Sequence, residues 1–210
     1  MNKVYDDIAY GDLGYPELHE HLLPLLQPSQ TVLDIGFGAG HMCSPVAFAN
    51  LNIVGLDHNL YGLEHALKCF KEAGLDGLLT IVNAEALGYL QENVTKYNLV
   101  MMSDFLMFQR KTDGREMMRL AYDAVQPSGY IWITALSTGD AFYGAMIETQ
   151  ESIDEDTFLS YSPCGGAGPV CFYHPLEIEY FLQSLGAKIV FQTETMNSAG
   201  GMVNIILAQK

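Results

Sequence analysis

Basic residues are scarce in this chain: 10 Lys and Arg stand against 25 Asp and Glu, a formal charge of −15 over 210 residues. A field of that sign repels a phosphate backbone and an anionic bilayer, so neither nucleic acid nor a membrane is the expected partner. Cysteine is scarce too. The four thiols, Cys43, Cys69, Cys164 and Cys171, include no CxxC pair, and their scatter suggests neither a zinc site nor a disulfide framework. Cys43 and Cys69 read as packing residues on apolar helix faces. Long apolar runs are missing: nothing approaches the ~20 residues of a membrane helix, and the opening MNKVYDDIAYGDLGY has no apolar core of signal-peptide length. A soluble, cytoplasmic protein acting on a small molecule is the expectation. No repeat, low-complexity tract or linker divides the chain, and 49% apolar content over 210 residues suits a single domain, residues 1–210. The sequence is silent on oligomeric state.

What the chain does have is glycine concentrated in one place. In VLDIGFGAG, Val32 to Gly40, the run through Thr31, Val32, Leu33 and Ile35 reads as a buried parallel strand, and Gly36, Gly38 and Gly40 follow at alternate positions. Such a loop turns a strand sharply into a helix and lets a ligand lie against bare backbone, with the amides of the next helix facing it. A dinucleotide fingerprint needs glycine at 36, 38 and 41, and position 41 is His. Asp34 instead stands two residues before the first glycine, where a carboxylate can accept loop amides or sit near a cationic ligand. A glycine-rich turn in some other α/β enzyme is the alternative.

Strands and helices then alternate. Asn52 to Asp57 is a second strand ending in an acid 17 residues past Gly40, the place where open α/β sheets hold ribose hydroxyls; Asp57 serves that diol, or caps the helix from Leu60 to Gly74, or both. Leu78 to Asn83 is a third strand, followed by Ala84, Glu85 and a helix. Tyr97 to Ser103 is a fourth strand, adjacent to the first, so that Ser103, Asp104 and Phe105 border the switch point and are candidates to touch the ligand. A helix around Arg115 to Val125 leads through the Pro127 to Gly129 turn into a fifth strand. Lys188 to Thr195 and Met202 to Ala208 form a closing hairpin. Two segments stand apart. Residues 1–28 read as a cover: the helix from Pro16 to Leu26 lies over a sheet edge, and Tyr5, Tyr10 and Tyr15 either fold over a ligand or pack on the core. Residues 137–173 lack clear periodicity and read as a lid or insertion. His174, before Pro175 at a helix start, is the candidate general base by type and location, or else a capping histidine.

Taken in order, these strand-end features resemble the class I S-adenosylmethionine-dependent methyltransferases, with VLDIGFGAG as motif I. The resemblance implies an α/β, doubly wound, seven-stranded mostly parallel sheet with a C-terminal antiparallel hairpin. It implies an S-adenosylmethionine cofactor, with S-adenosylhomocysteine as product, held by Asp34, Gly36, Phe37, Gly38, Gly40 and Asp57. His58 would lie against the adenine, or else hold an ordinary surface position; Asn83, Ala84 and Glu85 would stand at the adenine edge, or else cap the following helix; and Ser103, Asp104 and Phe105 would lie near the reacting centre. A narrower likeness rests on LMF after the fourth strand, the PSGY turn, Pro163-Cys164 and the ending ILAQK. This is similar to the tellurite-resistance methyltransferase family, which implies tellurium or selenium oxyanions or thiol-like small molecules as acceptors; Phe37 stands where that family commonly has cysteine, and the loop from Pro163 to His174 offers a histidine and no arginine. Three functions remain open: methyl transfer to such an acceptor, O- or N-methyl transfer to a metabolite, and a non-catalytic S-adenosylmethionine-binding partner protein.

Overall fold

The structure, a computed structural model, describes residues 15–43, 46, 47, 49–161, 167–197 and 200–210, without the side chains of 161 and 167. Tyr5, Tyr10, Pro163 and Cys164 lie outside them. The strands β1 (Thr31–Ile35), β2 (Asn52–Asp57), β3 (Leu79–Asn83), β4 (Tyr97–Ser103), β5 (Val125–Leu136) and the later pair Lys188–Met196 and Met202–Gln209 form one sheet. Its order is β3-β2-β1-β4-β5, then the Met202–Gln209 strand, then Lys188–Met196 at the edge. The first five strands run parallel, and the Met202–Gln209 strand enters antiparallel to β5 and to its hairpin partner. This is the doubly wound sheet with an antiparallel hairpin that the resemblance implies. The strand order reverses between β1 and β4, which opens a crevice at their carboxyl ends.

Both faces of the sheet are covered, which is why its central strands are nearly continuous apolar runs. Period-two alternation sends Val32, Leu99, Met101 and Trp132 to one side and Leu33, Val100, Met102 and Ile133 to the other. The first side packs on α1 (Leu60–Glu72) through Leu63, Ala66 and Phe70, and on Leu18 and Leu22 of the N-terminal segment. The second packs on α2 (Ala86–Glu92) and α3 (Lys111–Ala124), with Leu90, Met117, Met118 and Ala121 buried.

Three expectations change. Between Pro16 and Leu26 the segment is helical as expected, but as a π-helix, Leu18–Leu22, followed by a 3-10 helix, Leu23–Leu25, rather than a regular α-helix; Pro24 sits in the latter and limits regular α-helix. β5 begins at Val125, before the Pro127–Gly129 turn, because Val125 already pairs with Tyr97; the register then shifts, with Ser128 in the left-handed region at φ 63°. The described residues between Ser137 and Phe172 are regular. They hold α4 (Ala141–Thr149) and an antiparallel layer of β6 (Ser152–Asp154), β7 (Thr157–Tyr161) and β8 (Ala167–Cys171). Residues of α3 pin that layer: Lys111 Nζ donates to Asp156 (2.8 Å) and Glu177 (3.0 Å), Thr112 to Asp154, and Arg115 to Glu155 and Glu177. The chain closes with α5 (Glu177–Ser184), β9 (Lys188–Met196) and β10 (Met202–Gln209).

Candidate active site

The glycine loop folds as its spacing requires. Gly36, Gly38 and Gly40 take φ of 78°, 55° and 77°, a region that costs residues with a Cβ roughly 1–2 kcal/mol. Gly36 has a second reason to lack a side chain: a Cβ there would lie 2.5 Å from Cδ2 of Phe105. The loop amides are engaged within the protein. Gly36 N and Phe37 N both donate to Leu56 O (2.9 and 3.0 Å), Gly38 N to Asp57 Oδ2 (2.8 Å) and Gly40 N to Phe37 O (2.8 Å). The row of free donors that a phosphate would need is therefore absent from these four positions. Of the following helix, read from the sequence over His41 to Asn50, residues 46 and 47 are helical, residues 44, 45 and 48 lie outside the described residues, and the rest form turns.

A cleft of about 800 Å³ opens over Gly36 and Gly38 across the strand ends. Asp57, His58, Leu60 and Tyr61 line one wall, Ala84, Glu85, Ala86 and Leu87 the next, and Asp104, Phe105, Phe108, Gln109 and Met117 the far side. Asp57 is a fastener as well as a wall. Its Oδ2 holds the glycine loop and its Oδ1 accepts the Asn59 amide (2.7 Å); each oxygen keeps a further lone pair for a ligand hydroxyl. Asn59, not Asp57, caps α1. Glu85 occupies the position before α2 without making a side-chain cap, so it is left facing the cleft and solvent. Asp104 stands first beyond β4, and its Oδ1 accepts from Tyr15 Oη and Thr134 Oγ1, both at 2.8 Å. Burial pushes the Asp104 carboxyl up, and the two hydrogen bonds offset part of that rise.

Residues 32–129 match the family profile described as "Methyltransferase domain". The architecture is shared as well: a structure described as a SAM-dependent methyltransferase from Methanosarcina mazei aligns with a TM-score of 0.73 and 18% identity, covering 93% of this chain and 97% of that one. The fold is that of the class I methyltransferases. TehB from Haemophilus influenzae aligns with a TM-score of 0.66 and 13% identity, over 93% of this chain and 62% of that one. In sequence, the ubiquinone biosynthesis O-methyltransferase of Brucella anthropi is 25% identical over 159 residues, 76% of this chain; the chain spans 60% of that relative's length.

Within the methyltransferase fold, some residues singled out in the sequence stand elsewhere. Phe37 turns inward: its ring lies over Gly55, where a Cβ would come within 2.6 Å, and beside Gly40 and Phe70. The ring is core, and Gly40 makes room for it. Asp34 is 2% exposed and lies beneath the loop, where burial pushes its carboxyl up to about 7, opposed by a hydrogen bond with Cys43 and aided by the charge of Asp57. The side chain follows the strand's two-residue alternation into the core, so it does not line the cleft. Asn83 donates its amide to the carbonyls of Asp57 (3.1 Å) and His58 (3.0 Å), bracing the end of β2. Ser103 is buried, and its hydroxyl has no hydrogen-bond partner among the described residues. His58 is 72% exposed at the cleft mouth, with its Nδ1 3.7 Å from Asp57 Oδ1.

His174 is the largest displacement. It is exposed, its backbone amide donates to Glu177 (3.2 Å), and it lies by the Lys111 to Asp156 clamp, away from the cleft lining. The helix-start reading accounts for it, and the candidate-base reading is not met. Conversely, Thr134 and Gln109 belong to the site and were not singled out. Thr134 had a signal: a hydroxyl inside the buried run Ile131 to Ala135 needs a partner.

Proposed function

We propose that the protein transfers the methyl group of S-adenosylmethionine to a small-molecule acceptor and releases S-adenosylhomocysteine. The observation that carries this reading is the Asp57 carboxylate at the end of β2, bonded to the Gly38 amide and lining a cleft that crosses the switch point between β1 and β4. The residues present fit such a cofactor. Asp57 has acceptor capacity for a ribose diol, Ala84, Ala86 and Leu87 offer an apolar wall for a base, and Asp104 sets a carboxylate at the end where a sulfonium would lie. Engaged loop amides suit a cofactor without a pyrophosphate.

The bound cofactor supplies an already activated methyl group on sulfur, ready for in-line displacement. The chain has to align an acceptor and keep water out. Phe105, Phe108 and Met117 give the acceptor end apolar walls, and Gln109 adds a polar group there. Among the described residues, no Lys or Arg lines the cleft, whereas Asp57, Glu85 and Asp104 do. That balance favours an uncharged or cationic acceptor, a thiol, hydroxyl or amine, over the tellurium or selenium oxyanions that the narrower resemblance implies. The likeness to a ubiquinone biosynthesis O-methyltransferase supports an oxygen nucleophile as a member of that set.

Calorimetric titration with S-adenosylmethionine and S-adenosylhomocysteine, followed by an acceptor panel read out as S-adenosylhomocysteine formation, tests the proposal. Saturable cofactor binding and turnover with thiol, hydroxyl or amine acceptors are expected. Failure to bind either cofactor form overturns it, turnover confined to selenite or tellurite reverses the acceptor assignment, and binding without turnover across the panel favours a non-catalytic partner protein.

A further inference from the structure

Asp104 is built more elaborately than a lining residue requires. It is a non-glycine residue held at φ 53°. That backbone turn is locked by a closed pair of bonds, in which Asp104 N donates to Thr134 Oγ1 and Thr134 Oγ1 donates back to Asp104 Oδ1, each at 2.8 Å. Tyr15, buried to 6% exposure, adds a third bond from a segment 89 residues away in the chain. Among the described residues, the side-chain donors converge on Oδ1, and no cationic side chain forms an ion pair with this half-buried carboxylate.

Buried carboxylates are ordinarily paired, and an unpaired one in a low-dielectric setting acts strongly on any cation that reaches it. The other acids of the cleft are poorer candidates for that role. Asp57 is engaged by two backbone amides and Glu85 is exposed, where water screens its charge. Asp104 follows β4 and Ala84 follows β3, on either side of β2 and β1 in the sheet order, and both line the cleft. A cofactor with its base on that wall and its diol at Asp57 would present its sulfonium toward Asp104.

We propose that Asp104 is a specificity residue that reads the positive charge of the sulfonium, so that the cleft favours the methyl donor over its neutral thioether product, with Tyr15 and Thr134 as the positioning residues that aim the carboxylate. This rests on the reading of the cleft as an S-adenosylmethionine site. Donor and product share the amino acid, ribose and base and differ at sulfur. Their affinity ratio therefore isolates the charge from every other contact. A preference of this kind lets product leave as soon as the charge is lost.

The test is calorimetry of the full chain with S-adenosylmethionine and with S-adenosylhomocysteine, comparing wild type, Asp104→Asn and Tyr15→Phe at one pH and ionic strength. Asn keeps the shape and tolerates the left-handed backbone, and circular dichroism checks the fold. Asp104→Asn is expected to weaken donor binding about tenfold while product binding moves less than about threefold. Tyr15→Phe, which leaves the carboxylate in place, is expected to shift the same ratio in the same direction by a smaller factor; it carries the test if Asp104→Asn does not fold. Equal weakening of both ligands would mean that the carboxylate meets the amino group they share, and overturns the assignment, as does an unchanged ratio in folded variants. If wild type binds neither ligand, the cofactor reading itself has failed, a result distinct from an unchanged ratio.

Discussion

Asp57 Oδ2 accepts the amide hydrogen of Gly38 at 2.8 Å, so the acid that ends the second strand fastens the loop that follows the first. The same carboxylate holds the Asn59 amide at 2.7 Å, next to the start of α1. One side chain thus shapes two walls of the cleft before any ligand arrives.

Asp57→Ala removes both bonds and any hydrogen bonds to a ribose diol. The expected loss in S-adenosylmethionine affinity is about 1–3 kcal/mol, read as a rise in Kd by calorimetry. Asp57→Asn keeps one acceptor oxygen and should lose less. An unchanged Kd in a variant with native circular dichroism removes Asp57 from the ligand's contacts.

Gly36 and Phe105 are coupled by contact: a Cβ at position 36 falls 2.5 Å from the ring and would sit at φ 78°. Gly36→Ala should destabilise the protein by roughly 2–4 kcal/mol, combining overpacking with backbone strain. In urea unfolding, adding Phe105→Leu should recover the overpacking share but not the strain, so the double variant should lie between wild type and the single one. Full additivity of the two changes would show that the ring does not cause the clash.

The accessory layer β6–β8 is held by Lys111, whose ammonium meets Asp156 and Glu177 and lies 4.9 Å from the centre of the Tyr173 ring. Burial alone would lower the Lys111 pKa, but the two carboxylates outweigh it and raise it. Lys111→Met removes the ammonium that joins the two acids, while Glu177 keeps Arg115 and Asp156 keeps the Tyr143 hydroxyl. The expected cost lies toward the low end of ~3–5 kcal/mol, because the acids keep some contact with water. Hydrogen exchange should rise first in residues 141–173. His174→Ala, by contrast, should leave both cofactor affinity and turnover unaltered; a large drop in turnover would restore that histidine to the chemistry.

The sheet was legible because its signals are local. Strand ends at Ile35, Asp57, Asn83 and Ser103 follow from short apolar runs closed by glycine or a polar residue, and parallel strands joined by helices leave few topologies. The site was legible in part for the same reason, since a ligand crevice lies where those strands end. Phe37 and Asp34 were misplaced because loop spacing does not say which way a side chain turns: Gly55, in a different strand, is what admits the Phe37 ring. Thr134 and Tyr15 meet Asp104 only through the tertiary fold, 30 and 89 residues apart in sequence. The layer of β6, β7 and β8 escaped notice because its strands are short and its attachment to α3 runs through ion pairs rather than a periodic apolar pattern.

Asp34 offers a pH test that separates a structural acid from a ligand contact. Its folded pKa is raised to about 7, chiefly by burial, so the native state binds this proton more tightly than the unfolded chain does. The sign follows from that: the contribution to stability is fully present below the ordinary carboxylate range and is lost as pH rises toward about 7. Above that, the folded protein carries a buried charge. Asp34→Asn removes the titration, so its stability relative to wild type should increase between about pH 4 and 7 and level off beyond. Chemical unfolding of both proteins across this range measures the difference directly. Repeating the series with saturating S-adenosylmethionine discriminates further. A core acid shielded beneath the loop keeps the same difference curve, whereas an acid that meets the ligand's amino group has its charged form stabilised, and the advantage of Asp34→Asn at high pH shrinks or reverses. The 2% exposure of Asp34 and its absence from the cleft wall predict the unchanged curve.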